Sequence, residues 1–162
     1  MLVDVWANGS KDRGSTPLAS TNLMRLYNIR GKLQSKSVTK YLVDWDKKSR
    51  SKLQFNAKQF FKSYWENHIV YEEFPVFGSR MKVDMVNATK KIAVEVNGQQ
   101  HDSFNKFFHG NSRTKYLQSI KRDAEKRQWL ELNDFIIIEI YEKDLPKLSV
   151  SYIKKLYGIS IV

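Results

Sequence analysis

Cysteine is absent from this chain of 162 residues. That excludes disulfides, thiolate zinc sites and a cysteine nucleophile at once. Proline and glycine are sparse, with three and seven copies, and no linker rich in either divides the chain. No apolar stretch approaches the roughly 20 residues that span a bilayer. The opening Met1-Leu-Val-Asp-Val-Trp-Ala-Asn-Gly-Ser10 lacks the basic start and long apolar core of a signal peptide. These absences predict a soluble, cytoplasmic protein without a membrane partner. Acidic residues are also scarce, 17 Asp and Glu against 28 Lys and Arg, for a net charge of +11. A polyanionic partner suits that balance.

Hydrophobic residues make up 41% of the chain and there are nine Phe, enough for one folded domain with a real core. The basic residues are clustered. Residues 1–50 carry ten basic and four acidic side chains, and residues 106–127 carry seven against two. A solvated basic surface is the bland explanation; the clustering favours a nucleic-acid face. Residues 1–48, basic and weakly patterned, read as an N-terminal extension that contacts DNA, and residues 49–162 as the main domain.

The pattern along the chain predicts a short helix from about Ser20 to Asn28, ended by Gly31, and a possible strand at Val38–Val43. A second helix, capped by Ser49 or Ser51, runs to about Glu66 with Leu53, Ala57, Phe60, Phe61 and Tyr64 on one face. Ile69–Val76, Met81–Val86 and Lys91–Asn97 read as strands, the last two joined by the turn Asn87-Ala-Thr-Lys90. A long helix is expected over Ser112–Leu132, its apolar face holding Tyr116, Leu117, Ile120, Ala124 and Leu130. Phe135–Tyr141 is a continuous apolar run, which predicts a central strand. A final helix covers about Val150–Tyr157. Helix, three strands, helix, strand, helix describes an α/β sandwich around a mixed sheet of four to five strands.

Asp84 and Glu95 interrupt the apolar positions of the expected hairpin. Alternation puts both on the face opposite their apolar neighbours, where they would lie near one another. Two carboxylates so held repel unless a cation sits between them, and a hard ion such as Mg²⁺ favours oxygen pairs of this kind. A salt bridge from Glu95 to Lys82 or Lys91 is the plainer alternative. In a basic chain the pair points to metal-assisted phosphodiester hydrolysis.

The order of elements, together with Ser51-Lys-Leu-Gln54, Tyr71-Glu-Glu-Phe-Pro75, Val83-Asp84, Ala93-Val-Glu95-Val-Asn-Gly98-Gln-Gln-His101, Gln118…Asp123…Lys126 and Phe135-Ile-Ile-Ile-Glu-Ile140, resembles the restriction-endonuclease-like PD-(D/E)XK superfamily. Within it the likeness is to the branch sharing the very-short-patch-repair endonuclease fold, which includes phage homing endonucleases with an EDxHD pattern. It covers roughly residues 50–142. The resemblance implies a restriction-endonuclease-like α/β/α core and Mg²⁺-dependent cleavage of double-stranded DNA, with Mn²⁺ substituting. A monomer and a homodimer are equally compatible with the chain, in the bacterial host cytoplasm if it is phage-encoded. Asp84 and Glu95, with the Val96 carbonyl, would hold the metal. His101 would act on the attacking water or the leaving oxygen, and Asp123 would set its tautomer. The leading acid of the pattern falls on Gln54, which can bond a water but cannot act as a base. Asn97 stands where the superfamily usually has a lysine.

Glu72 and Glu73 occupy consecutive strand positions, so they are expected to face opposite ways, and either could supply the missing acid. Helical geometry places Asp123 about 20° from Tyr116 and about 60° from Ile120, at the edge of the core face. An exposed pair with Lys126 or Arg127 would be its ordinary role. His68 is expected to cap a helix end, and His109 is a local competitor of His101. Lys106, Arg113, Lys115, Lys121 and Arg122, with Arg25, Arg30 and Lys32 nearer the N-terminus, are the expected DNA contacts. Phe104, Phe107 and Phe108 nearby suit apolar wedges, although such aromatics are more often core, and Phe107-Phe108 before Gly110 is the best wedge candidate. A junction- or mismatch-directed nuclease and a non-cleaving DNA-binding module on a nuclease fold remain alternatives.

Overall fold

A computed structural model describes residues 23–98 and 113–162, together with the backbone of Trp6–Ala7. Its centre is a four-stranded mixed sheet of β4 (Val70–Pro75), β5 (Lys82–Asn87), β6 (Ile92–Asn97) and β7 (Ile136–Tyr141), in that spatial order. β4, β5 and β6 run antiparallel, and β7 lies parallel to β6. The parallel step requires a crossover, which α2 (Arg113–Leu132) provides.

α1 (Lys52–Trp65) starts at Ser51, whose hydroxyl accepts the Gln54 amide at 3.1 Å. With α3 (Val150–Tyr157) it covers one face of the sheet. Ala57, Phe61, Trp65 and Ile153 pack there on Val94, Ile138 and Ile140. The other face carries Ala93, on which Trp129 and Leu130 of α2 and Met24, Leu26 and Val38 converge with Tyr71, Phe74 and Phe77. The Trp65 indole donates to the Ile161 carbonyl at 2.8 Å and ties down the last residues. No helix among the described residues is long and apolar enough to cross a membrane.

Helices at 52–65 and 150–157 and the four sheet strands match the sequence pattern; four expectations do not. Residues 23–27 form a strand, β2 (Leu23–Tyr27), rather than a helix; it pairs with β3 (Leu33–Ser37) and with Trp6–Ala7, β1. Met24 and Leu26 are buried while Leu23 and Arg25 are exposed, a period of two hidden inside a cluster that also fits a helical face. Gly31, with φ of 76°, makes the hairpin turn instead of ending a helix. The expected strand at 38–43 is a 3₁₀ turn at Thr39–Tyr41 after β3.

β7 lies at the sheet edge and not at its centre. Its apolar run is explained by cover on both faces. At its outer edge the Tyr157 hydroxyl accepts from the Glu139 amide (3.2 Å) and donates to the Glu139 carbonyl (2.6 Å), which blocks strand addition there. In α2 the expected apolar face is largely outside the core: Leu117 and Ile120 are 54% and 47% exposed, and Ala124 is exposed. Only its last turns reach the sheet, through Trp129 and Leu130.

Candidate active site

Asp84 lies on β5 and Glu95 on β6, and the Asn87–Lys90 turn that joins the strands is closed by Lys90 N–H donating to Asn87 Oδ1 at 2.9 Å. Val94 packs towards α1. Glu95, the next residue, therefore faces α2. The Asp84 amide donates to Glu95 Oε1 at 3.3 Å, and the Val96 amide donates to Asp84 Oδ2 at 2.8 Å. Each carboxylate thus engages the strand that carries the other. Lys126 Nζ, from α2, donates to Glu95 Oε2 at 2.9 Å. Lys126 is the counter-ion here, not Lys82 or Lys91.

Burial, with the Asp84 charge adding to it, pushes the Glu95 carboxyl up to about 7 against the opposing effect of Lys126. Asp84 is also raised, chiefly by burial and in part by Glu73, against the Val96 hydrogen bond, Lys126 and Arg50. Both acids are therefore costly to ionise, the state in which a divalent cation stabilises them most.

A carboxyl with a folded pKa above its unfolded value keeps its proton in the folded state while the unfolded chain has lost its own, so stability falls as pH rises between the two. For Glu95 that window runs from about 4.5 to about 7. Urea unfolding of metal-free protein should show stability declining across it, by at most about 1.4 kcal/mol per pH unit. Glu95→Gln should lack that component. A wild-type profile superimposable on that of the variant would contradict the assignment.

Beside this pair, β4 carries Glu73 with φ of 52°, an uncommon conformation for a residue with a side chain. Ladder pairing skips it: Glu72 pairs with Met85 and Phe74 with Val83, leaving Glu73 unpaired opposite Asp84. Positive φ breaks the alternation of the strand. Glu72 and Glu73 thus do not face opposite ways, since both meet the Gln54 side chain, which donates from Nε2 to Glu73 Oε1 at 3.0 Å and to Glu72 Oε2 at 3.5 Å. Glu72 is otherwise committed to Lys58 (3.2 Å) and to the Ser49 hydroxyl (2.6 Å). Of the two, Glu73 lines the cleft.

That cleft has a volume of about 1070 Å³. Glu73, Asp84, Glu95 and Asp123 line it together with Arg50, Arg80, Lys82, Arg122 and Lys126. Carboxylates beside basic side chains are an arrangement that admits a phosphate and a cation together. A second pocket, about 180 Å³, lies between α2 and the β6–β7 pair and is lined by Asn97, Arg127, Glu139 and Tyr141 as well as Glu95 and Asp123.

Of the residues singled out in the sequence, Asp84, Glu95 and Val96 come together, and Val96 contributes its amide to Asp84. Asp123 is exposed on α2 and lines the cleft, not the core. Gln54 is 3% exposed and reaches Glu73. Arg122 lines the cleft, while Arg113, Lys115 and Lys121 are exposed along α2. Arg25, Arg30 and Lys32 are exposed on the β2–β3 hairpin. His68 follows α1, and its Nδ1 meets Asn87 Nδ2 at 3.0 Å. His101, Lys106, His109, Phe104, Phe107 and Phe108 lie outside the described residues. Arg50 and Arg80 were not expected at the site; Lys126 stood in the Gln118…Asp123…Lys126 motif and Lys82 as an alternative partner of Glu95, and both line the cleft. Lys126 lies three residues after Asp123 and so on the same side of a helix.

No family model and no solved structure matches the chain. Sixty-six residues are 38% identical to Uncharacterized protein 033L of Invertebrate iridescent virus 3, a match covering 41% of this chain. The match spans about a third, 34%, of that viral protein.

Proposed function

We propose that the protein is a metal-dependent DNA endonuclease of the PD-(D/E)XK class, site-preferring in the manner of phage homing enzymes. The observation that carries this reading is the Asp84–Glu95 pair, half-buried and mutually repelling, beside Lys126 in a cleft lined with both basic and acidic side chains. The sheet supports it too. Two antiparallel strands bear the acids, a crossover helix follows, and a parallel strand completes the set, as the resemblance implies for a restriction-endonuclease-like core.

The donor set fits a hard divalent cation. Its groups are carboxylate oxygens whose ionisation is disfavoured by burial and mutual repulsion, so a cation would relieve a cost already present. Among the described residues no three His, Cys, Asp or Glu side chains are grouped to hold an ion. Asp84 and Glu95 would therefore bind it with water and main-chain oxygen completing the shell, the usual habit of Mg²⁺. When bound, the cation supplies Lewis-acid activation of the phosphodiester and its attacking water.

The chain's own residues do the rest. Lys126, carried by α2, takes the role of the lysine missing at position 97: its ammonium holds Glu95 and offers positive charge to the phosphate as negative charge builds on its oxygens. Gln54 and Glu73 together replace the leading acid, the amide fixing a carboxylate that the helix itself does not supply. Hydrolysis joins a water oxygen to phosphorus and breaks the bond to the leaving oxygen, which takes up a proton. His101, with Asp123, is the proposed donor or base.

Digestion of long phage and bacterial DNA with Mg²⁺, Mn²⁺ or EDTA tests the reading; discrete fragments that need metal are expected. Lys126→Met should lower cleavage about 10²–10³-fold, the scale of losing one transition-state stabiliser. Divalent-cation binding, read by calorimetry, should not weaken, because the ammonium competes with the cation for Glu95. Retained DNA binding with no cleavage of plain, mismatched or branched DNA would favour the non-cleaving module. Cleavage of branched or mismatched DNA alone would favour the structure-directed nuclease.

A further inference from the structure

Two turns meet beside the cleft. The β2–β3 turn is closed by Asn28, whose amide donates to the Lys32 carbonyl (2.8 Å), whose carbonyl accepts from Gly31 (2.9 Å), and whose Oδ1 accepts from the amides of Arg30 (2.9 Å) and Lys32 (3.1 Å). The β4–β5 turn is pinned by Val76 N–H to the Met81 carbonyl (2.9 Å) and by Met81 N–H to the Ser79 hydroxyl (3.0 Å). The two are joined by the Ile29 amide donating to the Phe77 carbonyl at 2.9 Å. Gly78, at φ of 83°, lies so close to the first turn that a Cβ would stand 3.2 Å from Asn28 Cβ and 3.3 Å from Ile29 Cγ1.

The charge on this joint is of one sign. Residues 23–43 contain five Lys and Arg and no Asp or Glu, and residues 77–83 add Arg80 and Lys82 without an acid. Arg30, Lys32, Arg80 and Lys82 are all exposed. Lys82 lies two residues before Asp84 on β5, about 7 Å away along the strand, and both line the cleft.

We propose that the interlocked Asn28–Lys32 and Gly78–Lys82 turns form one rigid ridge that grips the phosphates of duplex DNA and holds the duplex at a set offset from Asp84. The proposal rests on the DNA reading of the cleft and specifies where the duplex outside it lies. Because both turns are closed by their own hydrogen bonds, the ridge loses little freedom on binding, and its contacts carry no base readout.

The test is binding, in EDTA so that no cleavage intervenes, of a fluorescein-labelled duplex of about 30 base pairs and mixed sequence, long enough to span the roughly 10-base-pair turn several times, across a range of KCl concentrations from about 50 to about 300 mM. Arg30→Ala/Lys32→Ala/Arg80→Ala is compared with Lys147→Ala/Lys154→Ala/Lys155→Ala, which removes the same net charge from exposed positions around α3, on the opposite side of the sheet. Unchanged urea midpoints in both variants establish that the fold is kept. The ridge variant should bind roughly 10²-fold more weakly at about 150 mM salt, with a log–log salt slope shallower by about 2–3, the loss of three phosphate contacts. The control variant should stay within about threefold of wild type. Equal losses in both variants, or none in the ridge variant, would overturn the proposal. Failure of the nuclease reading shows separately, as a wild type that binds through the ridge and cuts nothing with Mg²⁺.

Discussion

Asp84→Asn is expected to lower metal-dependent DNA cleavage by at least about 10³-fold while leaving duplex affinity unchanged or slightly improved. The substitution keeps the side-chain shape and an oxygen able to accept the Val96 amide, which Asp84 Oδ2 now accepts at 2.8 Å. What it removes is one of two charges that would face a divalent cation, and charge stabilisation of this kind commonly contributes more to catalysis than any other single effect. Binding should not suffer, because the lost charge is of the same sign as the phosphates. Two readouts beside activity separate this account from a folding defect. Mg²⁺ should stabilise the wild type against urea by mass action, about 2.7 kcal/mol at one hundred times its dissociation constant, and should not stabilise the variant. The Glu95 carboxyl, raised by burial and in part by the Asp84 charge, should titrate lower in the variant yet stay above an ordinary carboxyl because it remains buried. Cleavage by Asp84→Asn at the wild-type rate would remove the metal assignment and leave Lys126 and Glu95 as a structural ion pair.

The hairpin carrying the two acids is legible in the sequence because strand alternation is local: Ile92, Val94 and Val96 on one side leave Glu95 on the other, and four turn residues set the pairing. The partner of Glu95 is not legible. Lys126 is 31 residues away in sequence, and nothing local in α2 says which of its basic residues meets the sheet. Glu73 is hidden for a different reason. Two consecutive acids in a strand imply opposite faces, and only a backbone at φ of 52° lets both reach Gln54. The β2 strand reads as a helix because Leu23, Met24, Leu26 and Tyr27 fit a helix face as well as a half-buried strand, and pairing with β3 decides between them. β7 reads as a central strand because an apolar run reports cover on two faces, not two neighbours, and an edge strand closed by Tyr157 meets that condition equally well.

The largest stability effect is expected at Lys58. Its side chain is fully buried, 0% exposed, and donates to the Asp44 carbonyl at 2.9 Å, to the Lys47 carbonyl, and to Glu72 at 3.2 Å. It therefore pins the 44–49 segment, which leads into Arg50 and the start of α1, against β4 next to the cleft. Lys58→Met keeps the volume of the stem but leaves the Glu72 carboxylate without its ammonium. It also leaves two carbonyls without this donor. Breaking a buried ion pair from one side costs about 3–5 kcal/mol, because the remaining charge is uncompensated. Glu72→Leu alone should cost a similar amount by stranding Lys58. The double variant Lys58→Met/Glu72→Leu should recover much of the loss, since replacing both charges by packed apolar groups is often near neutral; the two carbonyls and the Ser49 hydroxyl that bonds Glu72 set what is not recovered. Urea unfolding of the four proteins closes the thermodynamic cycle. Strictly additive losses would mean that the pair contributes nothing as a pair and that Lys58 acts through the carbonyls alone. A strongly coupled cycle would identify Lys58–Glu72 as the clamp that fixes the 44–49 segment beside Gln54 and Glu73, and would predict that DNA cleavage by the single variants falls by more than their folded fraction explains.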